Sequence, residues 1–306
     1  MRSIIIAILV LTACMSIAQT KDTSIFKLPI KMDDVVIKAV RKGWDVQGFI
    51  KRVKTDTTFY KAFRSLHVLT WYATNDVRVY NNKGGVQASL YSKTKQLYSN
   101  GCRTMQVLEE KTTGDFYNRK RQYNYYTAEL YAYLFFTQGK KCGEDDYVTG
   151  GIRKVGNNKN ESNSYKLKQL MFNPGSRVTG VPLMGDKSAI FEPEIAKMYD
   201  FKLSSQEHDG EDCYVFSAIP KKGYEKEVVY DNLTTWFRKS DYSIVARDYS
   251  LSYRAGVYDF DVRMKVRMTH AHGKMVPSYI EYDGNWHVFT KKRERVKFVT
   301  NIRYTP

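Results

Sequence analysis

The sequence holds no G-x-S-x-G elbow, no H-E-x-x-H pair and no P-loop. The nucleophile, zinc and nucleotide chemistries that carry those local signatures are therefore not indicated. Histidine is scarce, at five residues. His270 and His272 share a strand face at i, i+2, with His287 one hairpin later. That spacing can chelate a metal. No carboxylate or cysteine stands beside them at ligand spacing, however, and Gly273 marks a turn, so they read as polar strand-end residues. Cysteine is scarcer still, at four residues. Cys213 follows His208 by five positions, but the apolar run Cys213 to Ile219 buries a thiol and raises its pKa, the wrong direction for a nucleophile. The paired acids Glu109-Glu110 and Glu144-Asp145-Asp146 read as solvated, because acid–base work needs carboxylates that face one another. No catalytic residue, metal or cofactor is expected, and there is no tandem repeat. Past the N-terminal stretch, no segment approaches the roughly 20 apolar residues of a spanning helix.

Acidic residues are also short: 32 Asp and Glu stand against 49 Lys and Arg, a formal net charge of +17. Such a balance points to anionic partners. Arg119-Lys120-Arg121 among Tyr117, Tyr123, Tyr125 and Tyr126 mixes cations and rings as single-strand nucleic-acid binders do. The N-terminus argues otherwise. Arg2 is a minimal positive region, Ile4 to Leu11 is an unbroken apolar run, and Ser16-Ile17-Ala18 before Gln19 has the small-x-small form of a cleavage site. Leu11-Thr12-Ala13-Cys14 also reads as a lipobox, which would make Cys14 an acylated first residue. Cleavage to Gln19 is the expectation and lipidation of Cys14 the alternative. Either route exports the chain, so an anionic envelope surface replaces nucleic acid as the expected partner. Export also sets the thiol reading. Cys102 and Cys142 lie in polar, loop-like surroundings and are expected to pair, leaving Cys213 as a buried core thiol; three free thiols are the alternative.

What the chain does contain is strand pattern. From Val257 to His270, Tyr258, Phe260, Val262, Met264, Val266 and Met268 alternate with Asp259, Asp261, Arg263, Lys265 and Arg267. Successive side chains on a strand point to opposite faces, so one face is apolar and the other charged. Val245, Tyr249, Leu251 and Tyr253 repeat the alternation just before, as do Val296, Phe298, Ile302 and Tyr304 near the C-terminus. Short turns such as Asp209-Gly210, His272-Gly273 and Asp283-Gly284 separate the runs between Phe201 and Tyr304, which implies an antiparallel meander. Earlier, Leu69 to Tyr80 and Val86 to Tyr98 flank Asn81 to Gly85, a hairpin signal, and Arg103 to Lys111 is the next strand. Helices are expected after Asp33 and over Val46 to Val53, with short ones at Phe59 to Arg64, Tyr165 to Phe172 and Glu192 to Met198. Asn118 to Gln138 reads equally as strand or helix. The expected organisation is a signal peptide over 1–18, a helical segment over 19–66 and a β half-barrel over 67–306 with a loop-rich insert around 139–192. The expected fold is mainly β (α+β): an antiparallel, strongly curved sheet or unclosed half-barrel with several short helices covering it.

Particular residues carry a family resemblance. They are Tyr199-Asp200-Phe201-Lys202-Leu203, Gly210 to Phe216, Ile219-Pro220-Lys221, and Thr235-Trp236-Phe237-Arg238 running through Asp241-Tyr242-Ser243-Ile244 to Arg247. Their order resembles the lipoprotein-carrier superfamily of gram-negative envelopes, the LolA/LolB-like fold, over about residues 172–304. The resemblance implies an unclosed antiparallel barrel with helices at its mouth and an apolar concavity that takes acyl chains. Asp56 to Phe63 also resembles a segment of uncharacterised exported envelope proteins. The function expected on this ground is non-enzymatic: an envelope protein, periplasmic or outer-membrane-associated, binding a lipid acyl chain or a lipidated partner. The alternative is a structural or interaction module whose concavity is filled by its own helices. The ligand face would comprise Trp236, Val245, Arg247, Tyr249, Leu251, Tyr258, Phe260, Val262, Met264, Val266 and Met268. Arg247 shares strand parity with Val245, Tyr249 and Leu251, hence sits on an apolar face, where a charge must be paired or meet an anion.

Overall fold

The computed structural model describes residues 28–30, 53–143, 170, 172–178, 184, 186–255, 258–288 and 292–305. The helices expected between Asp33 and Val53, most of that expected over Tyr165 to Phe172, and the signal region lie outside the described residues. Of the described chain, one antiparallel sheet takes most. Its strands are β1 (Leu28–Ile30), β2 (Trp71–Tyr80), β3 (Val86–Ser99), β4 (Cys102–Gly114), β5 (Lys141–Cys142), β6 (Tyr199–His208), β7 (Glu211–Pro220), β8 (Tyr230–Arg238), β9 (Ile244–Arg254), β10 (Tyr258–Ala271), β11 (Lys274–Val288) and β12 (Glu294–Tyr304). They lie in the order β1-β6-β7-β8-β9-β10-β11-β12-β2-β3-β4-β5, so β6 to β12 form the expected meander. The sheet does not close: β1 and β5 are its two ends. The long β12–β2 pairing, Arg295↔Tyr80 through Tyr304↔Trp71, joins the two halves of the chain into one sheet.

Short helices flank the sheet, among them α1 (Thr58–Ser65), α2 (Tyr126–Phe135) and α3 (Pro193–Ala196). Asp56 precedes α1 and accepts from Thr58 N–H at 2.9 Å and Thr58 Oγ1 at 3.0 Å. The ambiguous stretch from Asn118 divides in two. A turn closed by a Tyr117↔Tyr123 bridge comes first, and α2 follows. Helix propensity in Ala128, Leu130, Ala132 and Leu134 wins there because the tertiary structure supplies a cap that the local sequence lacks. Glu294, from the start of β12, receives Tyr126 N–H, Thr127 N–H and Thr127 Oγ1, each at 2.8 Å. A carboxylate against the first helical N–H groups satisfies orphan donors and meets the positive end of the helix dipole. Glu294→Ala is therefore expected to cost about 1–2 kcal/mol, read as a lower urea midpoint at unchanged slope.

Even residues of β10 and odd residues of β2 and β9 face the same core. Val77, Leu90, Leu203, Phe237, Val266 and Ile280 have no exposed surface, and all belong to one apolar cluster with α1 and α2. The expected strand alternation is thus what the sheet uses, with charge on the outer face. There Arg267 clasps Asp248, and Lys297 meets Asp283 at 2.7 Å. No helix among the described residues is long and apolar enough to cross a membrane.

Candidate functional site

The concave face is built where β9, β10 and β11 run side by side. Cross-strand register sets Arg247 beside Val266, Tyr249 beside Met264, Leu251 beside Val262 and Tyr253 beside Phe260. On the other side Val266 faces Ile280, and Met264 faces Tyr282. Tyr249, Leu251, Phe260, Val262, Met264, Val266 and Met268 are all buried, at 0–9% exposure. The ring of Tyr282 lies over Gly284, where an added Cβ would come within 2.0 Å of its hydroxyl. Only glycine lets the ring fold down there, to stack on Phe298 at 4.7 Å and accept from Trp286 Nε1.

Two of the expected face residues fall elsewhere. Trp236 is not on the concave side. It pairs with Val215 and Ala246, is partly exposed, and stacks on His208 at 5.2 Å, with the Arg267 guanidinium 5.7 Å from its ring centre. The register shifts between Trp236 and Phe237, so Phe237 pairs with Ile244 and Val245 becomes the extra residue of a bulge. Trp236 lies outward by the plain alternation of β8, in which Leu233, Thr235 and Phe237 face the core; at Val245 a one-residue slip exchanges the faces of β9, which simple parity cannot foresee. Tyr258 belongs to β10, but its side chain lies outside the described residues.

The face is covered by the chain itself. α1 packs across β11 with Phe59, Ala62 and Phe63 buried beneath it. Phe63 stacks on Phe172 at 4.0 Å, Phe172 meets Phe135 at 6.5 Å, and Phe135 meets Phe298 at 5.8 Å. Rings thus bridge the concavity from α1 to α2. The C-terminal end of α1 is tied by hydrogen bonds. Leu66 C=O accepts from Trp71 Nε1 at 2.8 Å and Gln96 Nε2 at 2.5 Å, and Leu69 C=O from Gln96 at 2.9 Å.

Under α2 the concavity is polar, which sequence reading missed. Tyr131 donates to Asn75 Oδ1 at 2.8 Å and shares a bond with Thr300 at 2.7 Å. Asn75 in turn donates to Ser92 and Thr94, each at 3.2 Å. These side chains are almost fully buried and mutually satisfied, so the network fixes α2 on β2, β3 and β12. The alternation of Asn75, Ser92, Thr94 and Thr300 with exposed residues was the available signal; their polarity disguised it.

Arg247 is 7% exposed in the midst of the apolar half. Its Nε donates to Thr235 Oγ1 at 2.9 Å, and its guanidinium lies 4.4 Å from the centre of the Phe59 ring. Burial pushes its pKa down to about 10, with Asp56 opposing the change, so it remains a cation at neutral pH. Elsewhere, Cys102 and Cys142 face each other across β4 and β5 and are joined by a disulfide, while Cys213 is a buried free thiol. Burial pushes the Cys213 thiol up to about 11. The histidines do not converge: His270 contacts Arg238, His272 the carbonyl of Thr305, and His287 the carboxylate of Asp259.

No protein-family profile matches the chain, and no curated protein does. Among solved structures, a DUF1329 family protein from Desulfovibrio piger is similar at 13% identity, with 80% of this chain and 90% of that chain covered and a TM-score of 0.23. A second, from Vibrio parahaemolyticus and described as an outer membrane lipoprotein-sorting protein domain, is similar at 9% identity over 81% of this chain and 91% of that chain, with a TM-score of 0.26. Neither likeness bears on activity.

Proposed function

We propose that this chain is a non-enzymatic protein of the gram-negative envelope that shelters a lipid acyl chain, or the lipid of a lipidated partner, against β9 to β11 beneath α1. One observation carries the reading. A long apolar face on an open sheet is covered not by a second sheet but by short pieces: the eight-residue α1, the Phe172 ring, and buried side chains such as Leu170, Met184 and Ile190. Such a cover is exchangeable. Burying a phenylalanine is worth about 1.5–3 kcal/mol, so Phe59, Phe63 and Phe172 together hold the cover by several kcal/mol. Each buried CH₂ of an acyl chain contributes about 0.8 kcal/mol, so roughly ten methylenes suffice to replace them. The polar half beneath α2 is no part of the site, because hydrocarbon laid against Asn75 and Thr300 would leave their hydrogen bonds unmade. Basic outer surfaces would meet anionic envelope lipids.

A second reading, a structural or interaction module, is favoured by how completely the face is filled in this form. Native mass spectrometry of protein taken from its own envelope separates the two. A lipid-sized adduct retained under gentle conditions is expected. A clean apo mass would favour the self-filled module.

A further inference from the structure

Two arginines on the outer face of the sheet are paired with carboxylates. Arg238 donates to both oxygens of Glu211, at 2.6 and 3.0 Å, and Arg267 donates to both oxygens of Asp248. Both of those arginines are less buried than Arg247. Arg247 forms no ion pair among the described residues, and its two terminal nitrogens have no hydrogen-bond partner there. Asp56 is the acid whose field reaches it, and that carboxylate is engaged in holding Thr58 at the start of α1. What lies over the guanidinium is Phe59, a side chain of the proposed cover. A buried charge without a counter-ion is costly, and replacing it by an apolar residue of similar volume is commonly stabilising. Its position on the sheet therefore calls for something other than folding stability.

Resting on the acyl-chain reading, we propose that Arg247 anchors the acidic head of a single-chain amphiphile, a carboxylate or phosphate that takes the place of Phe59 over the guanidinium. The two terminal nitrogens offer the parallel N–H groups that a carboxylate or phosphate accepts bidentately. The apolar residues then lie in the order an acyl chain needs. From Val266, beside Arg247, the face continues through Met264 and Tyr249, Val262 and Leu251, to Phe260 and Tyr253. At about 3.4 Å per residue that path is on the order of 20 Å, room for a long acyl chain. A cleft of about 430 Å³ runs beside α1 towards the β10–β11 turn, and Lys61, Arg64 and Lys274 line it. Three cations at this seam would draw an acidic head to the edge of the cover. Because Leu66 is tied down by Trp71 and Gln96, lifting Phe59 means pivoting α1 about its C-terminal end.

Titration calorimetry of the delipidated chain with oleic acid, oleoyl lysophosphatidic acid and oleyl alcohol tests this. The wild-type protein is expected to bind at least one of the acids about tenfold or more tighter than the alcohol, and the better acid identifies the head as carboxylate or phosphate. Arg247→Met is expected to erase that preference, to bind the alcohol as before, and to melt no lower than the wild type, since a largely buried charge with no ion pair among the described residues has been removed. Equal binding of acids and alcohol by the wild type overturns the anchor but leaves the acyl-chain reading standing. So does a preference that survives in Arg247→Met, which would put the anchor elsewhere. Binding of none of the three overturns the acyl-chain reading itself.

Discussion

Met264→Asp is expected to abolish cooperative folding, or to lower stability by more than about 4 kcal/mol. Met264 sits in the middle of the concave face at 1% exposure, between Tyr249 and Tyr282. Both neighbours are buried, and burial raises the pKa of each phenol, Tyr249 well above the ordinary value. The same surroundings would oppose ionisation of a carboxylate at 264. Either the acid stays protonated at a large cost or the covering helix lifts to admit water. Met264→Ala separates the loss of packing from the burden of charge, and should cost about 2–5 kcal/mol as a cavity. Urea unfolding followed by fluorescence measures both. An aspartate variant within about 1 kcal/mol of the wild type would falsify the close packing of this face and leave it wet. If it folds with a disturbed α1, loss of the lipid adduct becomes a second readout of the same site.

Opening the Cys102–Cys142 bridge is expected to have the next largest effect. The cysteines are 40 residues apart, and the segment between them contains the rest of β4, the Tyr117–Tyr123 turn and all of α2. Closing a loop of that length removes unfolded-state entropy worth about 4 kcal/mol in the chain-entropy model. The double variant Cys102→Ser, Cys142→Ser should therefore lose about 2–4 kcal/mol, and wild-type protein in reductant should lose the same. The loss should also be local. β5 pairs with β4 only at Cys102 and Arg103, so without the bridge little holds the end of this segment. Amide exchange in α2 should rise before exchange in β10 or β11, because α2 would then depend on Glu294 and the Tyr131 network. Equal midpoints with and without reductant would show that the bridge contributes nothing, and peptide mapping that finds both thiols alkylatable would show that it does not form.

The mainly β class, the antiparallel meander from β6 to β12 and the apolar identity of β10 were determined by the sequence alone. Alternation of period two is a local property, and a strand like Phe260 to Met268 can satisfy it in only one way: one face to the core and one to water. The turns at Asp209-Gly210 and His272-Gly273 were legible for a similarly local reason, since the first residue of each pair holds a positive φ, +51° and +50°, beside a glycine. Arg247 was legible as a charge on the wrong face, but not its surroundings. Phe59 lies 188 positions earlier in the chain, and no pattern near either residue announces the other. Tertiary structure alone decided the rest. It joined β12 to β2, so that two halves with separate patterns became one sheet. It resolved the ambiguous helix α2 by bringing Glu294 to its N-terminus from 168 residues away. It made Val245 the extra residue of a bulge in β9, and it divided the concavity into an apolar half under α1 and a hydrogen-bonded half under α2. Each of these depends on a partner distant in sequence. Local propensity says which face of a strand is apolar, and only long-range packing says what covers it.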